Sequence, residues 1–165
     1  MVVLTTERLT LRHLTDADAP FLVRLLNEPP FMRYIGDRGV RTEAEARAYL
    51  RTGRWARYAD VGHGLYAVER QADGVPLGIC GLLKRDTLDA PDLGFALLQE
   101  HWGHGYAHEA ARAVLAQEAP ALGLGRVLAI TVPDNAASIA LLKRLGFRGD
   151  TPTQDSVLQR YVWTP

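Results

Sequence analysis

The chain has 165 residues, of which 47% are hydrophobic and 23% are charged. This length supports one well-packed domain over residues 1–165 and is too short for two comfortable ones. The 19 Lys and Arg residues equal the 19 Asp and Glu residues in number, so no overall field favours nucleic acid or an anionic membrane as a partner. No apolar run approaches the roughly 18 residues that span a bilayer, and no signal pattern opens the chain. We therefore expect a cytoplasmic protein.

Hydrophobic periodicity and turn residues predict an alternation of strands and helices. In chain order the predicted elements are a strand over 8–13, helices over 16–27 and 42–58, strands over 64–70, 76–86 and 92–98, a helix that ends near 118, a strand over 125–132, a helix over 135–145, and strands over 147–150 and 157–163. Ala72-Asp73-Gly74 predicts a hairpin, whereas Pro29, Pro30, Gly36 and Gly39 predict turns. Hairpins combined with a crossover helix predict an α/β fold with one mixed, mostly antiparallel sheet and helices on both faces.

The segment Trp102-Gly103-His104-Gly105-Tyr106-Ala107 connects a predicted strand to a predicted helix. Its two glycines allow a tight turn and a close approach of the backbone to a ligand, and the following helix adds the free amides of its first turn. The loop is not a Walker motif, because Tyr106 and Ala107 stand where Lys and Ser or Thr are required. It is not a dinucleotide fingerprint either, because His108 occupies the third small-residue position.

A second motif follows about thirty residues later. Arg126–Val132 is a β-branched run typical of a buried strand. Asn135 then stands at the cap position of an apolar-striped helix, which ends at Gly146. The order is therefore strand, glycine loop, helix, strand and Asn-capped helix.

These motifs together resemble the GNAT superfamily of acyl-CoA-dependent N-acetyltransferases, and within it the branch of the ribosomal-protein N-terminal acetyltransferases RimJ and RimL. The resemblance rests on Trp102-Gly103-His104-Gly105-Tyr106-Ala107-His108-Glu109-Ala110, on Asn135, Ser138, Leu141 or Leu142, Gly146 and Phe147, and on Thr6–Arg12. It spans residues 5 to about 163. The chain departs from the branch at His104, where Lys or Arg is usual, and a histidine supplies positive charge there only when it is protonated.

The resemblance implies acetyl-CoA as co-substrate and a sheet that splays between Asp92–Leu98 and Arg126–Val132. It places the pyrophosphate on the backbone of residues 102–107 and pairs the pantetheine with the backbone of Phe95–Leu98. The implied cofactor-binding residues are Phe95, Ala96, Leu97, Leu98, Trp102, Gly103, His104, Gly105, Tyr106, Ala107, Asn135 and Ser138. Asn135 is also explained as a helix cap, and Tyr106 is also explained as a core aromatic.

Acetyl transfer to an amine requires a proton acceptor, a positioned neutral amine and a proton donor for the leaving thiolate. Asp92 is the first candidate for the base, although a carboxylate after Ala90-Pro91 is also a plausible strand start. Ser138 is the candidate donor or water-ordering group, although it also suits the first turn of a helix. Glu109 is a third catalytic candidate, but the helix dipole already explains a carboxylate at its position.

Three functions remain open: acetylation of a peptide or protein N-terminus, acetylation of a small amine, and silent binding of CoA. The first is favoured by the resemblance. The acceptor wall is expected to contain the aromatic residues Phe31, Tyr34, Trp55 and Tyr58. We expect a monomer or a homodimer.

Other polar clusters have simpler explanations. His101, His104 and His108 lack the spacing of a zinc site, so no metal is expected. Cys80, the single cysteine, lies in an apolar strand and is predicted to be a core residue rather than a nucleophile. A basic stripe on the second helix, with Glu43 four residues before its first member, is either a solvated face or a surface for an acidic partner; it comprises Arg47, Arg51, Arg54 and Arg57.

Overall fold

The computed structural model describes residues 1–150 and 157–165. The strands are β1 (Val2–Thr5), β2 (Leu9–His13), β3 (Leu65–Arg70), β4 (Pro76–Leu83), β5 (Asp92–Leu97), β6 (Val127–Thr131), β7 (Arg148–Gly149) and β8 (Gln159–Trp163). The α-helices are α1 (Ala19–Leu26), α2 (Pro29–Tyr34), α3 (Glu43–Thr52), α4 (Tyr58–Val61), α5 (Tyr106–Ala113), α6 (Ala119–Ala121) and α7 (Ala136–Arg144). A π-helical turn, Val114–Glu118, joins α5 to α6. None of the described helices is both long and apolar enough to cross a membrane.

All described strands belong to one sheet with the order β1-β2-β3-β4-β5-β6-β8-β7. Neighbouring strands are antiparallel except β5 and β6, which are parallel and pair only where Asp92 lies opposite Leu128. At that point the Leu128 amide donates to the Pro91 carbonyl at 2.9 Å. Beyond it the two strands separate. The predicted α/β fold with one mixed sheet is confirmed, and the separation opens a cleft in the sheet between β5 and β6.

Each face of the sheet carries its own core. On one face α5, the π-helical turn and α7 pack against residues such as Leu11, Val68 and Cys80. On the other face α1 and α3 cover residues such as Ala67 and Ile79. Burial raises the pKa of the Cys80 thiol, and Cys80 is a core residue as the sequence predicted. Helices on both faces leave the β5/β6 gap as a passage through the sheet.

The helix predicted over 42–58 is wrong in its second half. Thr42 caps α3 by accepting a hydrogen bond from the Glu45 amide at 3.1 Å, as its position suggests. The helix then ends at Gly53, whose backbone is extended. A Cβ at this position would lie 2.5 Å from the Tyr49 carbonyl oxygen, so the turn that ends the helix depends on glycine.

Three other elements differ from the prediction. Pro29 and Pro30 begin α2 instead of a turn, because proline suits the first helical positions, where no amide partner is needed. Val2–Thr5 forms an edge strand, β1, that the sequence did not predict. The crossover helix also continues past residue 118, through α6.

Candidate active site

The loop between β5 and α5 holds its two glycines in the left-handed region, with φ of 81° at Gly103 and 78° at Gly105. Within the described part of the chain, the six amides from Gly103 to His108 donate to no acceptor. The Trp102 amide is not part of this set, because it donates to Gln99 at 3.1 Å. The free set is therefore shifted by one residue from the expected 102–107. Six successive free donors at a helix N-terminus are suited to an anion.

Arg8, which lies between β1 and β2, contacts the glycine loop. Its Nη1 donates to the His104 carbonyl at 2.9 Å, and its guanidinium lies 4.5 Å from the centre of the Tyr106 ring. Glu109 holds Arg8 in turn: its carboxylate accepts from Arg8 Nε at 2.7 Å and from Thr6 Oγ1 at 2.6 Å. Burial favours a higher pKa for Glu109, but these hydrogen bonds outweigh it and lower the pKa. Tyr106 is itself buried in the core.

The edge of β5 that faces the gap carries free backbone groups. The Leu98 amide donates to Leu77 at 2.9 Å, so Leu98 faces β4. Because backbone direction alternates along a strand, Leu93, Phe95 and Leu97 turn their amides and carbonyls toward β6. The Leu93 amide belongs to the parallel pairing of Asp92 with Leu128, whereas the backbone groups of Phe95 lie beyond that pairing and face the gap. The Leu97 carbonyl accepts from the Trp102 indole at 3.0 Å. The open edge thus begins at Phe95 and, unlike the expected Phe95–Leu98, does not include Leu98.

A cavity of about 200 Å³ lies where β5 and β6 separate. It brings together sequence-predicted residues from three parts of the chain: Phe31, Tyr34, Trp55, Asp92, Phe95, Ala96, Asn135 and Ser138. Phe31 and Trp55 meet edge to face, with ring centres 6.3 Å apart, and form one wall. Tyr58 is not part of the cavity lining. It stacks on His13 at 3.8 Å and accepts a hydrogen bond from the Leu14 amide.

Asp92 is the buried carboxylate of this cavity. It is 1% exposed, and both of its oxygens accept from Arg85 Nε, at 3.0 and 3.2 Å. Burial raises the pKa of Asp92, although the Arg85 guanidinium opposes that shift. A higher pKa makes a carboxylate a stronger base. Arg85 follows β4 and had no motif to reveal it, since only the tertiary structure brings it to Asp92.

Asn135 and Ser138 lie at the start of α7, across the gap from Asp92. The Asn135 side chain accepts from the Ser138 amide at 3.3 Å, which confirms its role as the helix cap. The Ser138 hydroxyl donates to no protein group in the described part of the chain and lines the cavity. A hydroxyl placed in this way is available to a ligand or to water.

A second cavity of about 390 Å³ lies between α5 and α7. Arg112 from α5 and Arg144 from α7 are its charged lining residues in the described part of the chain, His108 lines it at the start of α5, and Trp163 adds an aromatic wall. Burial lowers the pKa of His108, and the nearby arginines lower it further. This cavity is suited to an anion bound next to an aromatic or apolar group.

Two of the sequence expectations concerned other charged clusters. In the described ranges no group of three or more His, Cys, Asp and Glu side chains could hold a metal ion. The basic stripe of the second helix is divided: Arg47, Arg51 and Arg57 pair with Glu43, Asp16 and Asp60. Arg54 has no ion-pair partner among the residues that the structure describes, and its charge favours a lower pKa of Asp92.

Known proteins are similar to this chain in sequence and in fold. A family model described as an acetyltransferase (GNAT) domain matches residues 8–148. YkkB of Bacillus subtilis is 32% identical over 148 residues, which are 87% of this chain and 83% of YkkB. An acetyltransferase from Agrobacterium tumefaciens matches with a TM-score of 0.85 at 27% identity, covering 100% of this chain and 95% of its own. The chain belongs to the GNAT acetyltransferases and is an acyltransferase.

RimL, the ribosomal L7/L12 alpha-N-protein acetyltransferase, also shares the fold. Its complex with coenzyme A matches with a TM-score of 0.83 at 17% identity, covering 99% of this chain and 98% of RimL. At this identity the likeness concerns the fold alone. Membership of the RimJ/RimL branch therefore remains a prediction.

Proposed function

We propose that the protein transfers the acetyl group of acetyl-CoA to a primary amine, and that this amine is the N-terminus of a peptide or protein. The observation that carries the proposal is the run of six free amides from Gly103 to His108, next to an open strand edge that leads to the cavity with Asp92 and Ser138. These amides are orphaned donors that fit a pyrophosphate. The backbone groups of Phe95, which lie beyond the pairing of Asp92 with Leu128, suit the amide-bearing pantetheine arm.

The chemistry assigned to the cavity begins with the amine. An alkylammonium has no lone pair, so it must lose a proton before nitrogen attacks the thioester carbonyl carbon. Asp92 accepts that proton, directly or through one water molecule, and the cavity walls hold the amine in line. The C–N bond forms, the tetrahedral oxyanion collapses and the C–S bond breaks. The departing thiolate takes a proton from Ser138, which solvent reprotonates, or from water that Ser138 orients.

No covalent enzyme intermediate is required in this scheme. Cys80 is buried, and burial raises the pKa of its thiol, so a thiolate nucleophile is disfavoured there. Glu109 also has no part in the scheme, because Thr6 and Arg8 occupy its carboxylate. Its role is to hold the glycine loop.

Two considerations bear on the acceptor. RimL, which shares the fold, carries the name of an alpha-N-protein acetyltransferase, and this favours a peptide N-terminus. The small volume of the cavity, about 200 Å³, suits either the first residue of a peptide or a small amine. A small-molecule amine is therefore the second candidate.

The test is an acceptor screen. Purified protein is incubated with acetyl-CoA and with matched peptides that have free or blocked N-termini, alongside small amines, and thiol release and product mass are measured. We expect acetylation of free peptide N-termini and none of blocked ones. If only small amines are acetylated, the acceptor is a small-molecule amine and not a peptide N-terminus. Binding of acetyl-CoA without transfer to any acceptor would identify a silent CoA-binding module.

A further inference from the structure

The charged lining of the β5/β6 cavity is unbalanced. Among the described residues, only Arg38, Arg85 and Asp92 bring charge to its walls. Asp92 and Arg85 neutralise each other through their ion pair at 3.0 Å. Arg38 therefore leaves the cavity with one uncompensated positive charge.

Arg38 has no partner within the described part of the chain, although an acid precedes it directly. That acid, Asp37, is already occupied: its carboxylate accepts from Arg41 Nη2 at 2.6 Å and from the Gly39 amide at 2.8 Å. The bond from Arg41 is the main reason why the pKa of Asp37 is lowered. In the segment between α2 and α3, Asp37 therefore pairs with Arg41. Arg38 has no partner among the described residues and lines the cavity together with the aromatic wall.

A second cation reinforces this charge. Arg54, after α3, has no ion pair with any described residue, yet it acts electrostatically on both Asp92 and Tyr49. Arg38 and Arg85 act on the same Tyr49. Burial raises the pKa of this tyrosine, and the three arginines oppose the shift. Arg38 and Arg85 line the cavity, Arg54 directly precedes the lining residue Trp55, and Asp92 is the only acid among the described lining residues.

We propose that the amine acceptor carries a carboxylate close to its amino group, and that Arg38, supported by Arg54, binds this carboxylate at the α2/α3 end of the cavity. The inference rests on the proposed function and specifies its substrate class. A guanidinium presents two parallel donors that match a carboxylate. With the carboxylate at Arg38, the amine is directed toward Asp92, and an acceptor with additional positive charges is repelled.

A carboxylate next to an amine has two sources: an acidic side chain in the first residues of a peptide, and the α-carboxylate of a free amino acid. The experiment therefore uses two matched acceptor pairs. The first pair is a C-terminally amidated peptide that begins with Glu and its counterpart that begins with Gln. The second pair is a free amino acid and its amide. kcat/KM is measured for each acceptor with saturating acetyl-CoA.

We expect the wild-type protein to prefer the carboxylate member of at least one pair by about tenfold or more, and the pair that responds identifies the source. Arg38→Gln should reduce that ratio by about tenfold, and Arg38→Glu should invert it. Arg47→Gln is the matched control, since Arg47 is an exposed arginine on α3 that pairs with Glu43 away from the cavity; its ratio should equal the wild-type ratio.

Three results would overturn the inference. Equal kcat/KM for both members of both pairs would show that the acceptor's carboxylate is not recognised, although the proposed acetyl transfer would still hold. A preference that persists in both Arg38 variants would assign the carboxylate to another residue. Absence of transfer to every acceptor, with acetyl-CoA still bound, would overturn the proposed function and the inference together.

Discussion

At the scale of single residues, the glycine loop depends on backbone conformations that side chains disfavour. Gly103 and Gly105 both have positive φ, and a Cβ on Gly105 would lie 3.6 Å from Arg8 Nη2. Such conformations are strained for residues with a Cβ, and most of all for β-branched ones. The free amides of the loop keep their common direction only while this backbone is preserved.

Gly105→Val should weaken acetyl-CoA binding by more than tenfold, which corresponds to about 1.4 kcal/mol. The valine would strain the loop and turn the neighbouring amides away from a common anion. Titration calorimetry with acetyl-CoA measures the effect. Gly74→Val is the matched control, because Gly74 has φ of 70° in the β3/β4 turn and an open surrounding. Equal affinities of the two variants would contradict the role of the loop.

The buried carboxylate of Asp92 gives the second prediction at this scale. Asp92→Asn should lower kcat by about 10²- to 10⁴-fold, the range usual for a positioned base, with little change in acetyl-CoA affinity. A base acts in its deprotonated form, so wild-type kcat should rise with pH through the pKa of Asp92, which burial raises. The variant should lose this rise, as a pH–rate profile will show.

Loss of a buried ion pair also destabilises a protein, so Asp92→Asn needs a control of the same kind. Asp18 provides it, since it is buried and pairs with Arg12 at 2.7 Å but does not line the cavity. Asp18→Asn should lower the melting temperature and retain kcat. If Asp92→Asn retained full turnover on the true acceptor, solvent would be the proton acceptor.

At the scale of elements, α5 and α7 flank the gap with different surfaces. Their N-termini carry the free amides and the cap residue Asn135, whereas farther along the two helices Arg112 and Arg144 face one cavity. His108, whose amide belongs to the free set, also lines that cavity. A ligand with phosphates at the loop therefore has a second basic surface within reach.

We predict that the two helices bind the 3′-phosphate of CoA through Arg112 and Arg144. A double substitution of both arginines by glutamine should weaken binding of CoA about tenfold or more and should change binding of dephospho-CoA much less. Arg148→Gln is the control, because Arg148 is exposed on β7 outside both cavities. Equal losses for the two ligands would show that the arginines do not bind the 3′-phosphate.

At the scale of the whole molecule, one buried acid connects the crossover helix to the sheet. Glu118, in the π-helical turn, accepts a hydrogen bond from the Tyr66 hydroxyl of β3. Its other oxygen, Oε2, is buried and has no hydrogen-bond partner among the described residues. Burial raises the pKa of Glu118 to about 7, although the bond from Tyr66 opposes the shift. The folded protein therefore favours the protonated acid.

This raised pKa predicts how stability changes with pH. Glu118 contributes to the free energy of unfolding because its pKa is higher in the folded state than in the unfolded state. This contribution is fully present below the unfolded-state pKa of about 4.5 and is lost as pH rises to about 7. The loss amounts to about 3 kcal/mol. Glu118→Gln should remove this slope, as urea unfolding at pH 5 and pH 8 will show. Glu7→Gln, at an exposed position, should keep the wild-type dependence of stability on pH. If the dependence persists in Glu118→Gln, another group causes it.

Local patterns were sufficient to predict most of the fold. The hairpin at Ala72-Asp73-Gly74, the strand before the glycine loop and the Asn135 cap depend on neighbours in the chain, and all three are confirmed. Local patterns failed at Gly53, whose extended backbone ends α3 before the predicted helix end at residue 58. They also failed at β1, whose four residues form a strand only because β2 provides the partner.

The sequence by itself determined the family and the glycine loop before α5, because the conformation of a glycine loop and the free amides of a helix start are local properties. Only the tertiary structure decided which charges meet. Arg85 reaches Asp92, Arg8 reaches Glu109, and Arg38 is left unpaired beside the cavity. Ion pairs between distant segments have no sequence period, and their energies depend on burial that only the packed sheet and helices create.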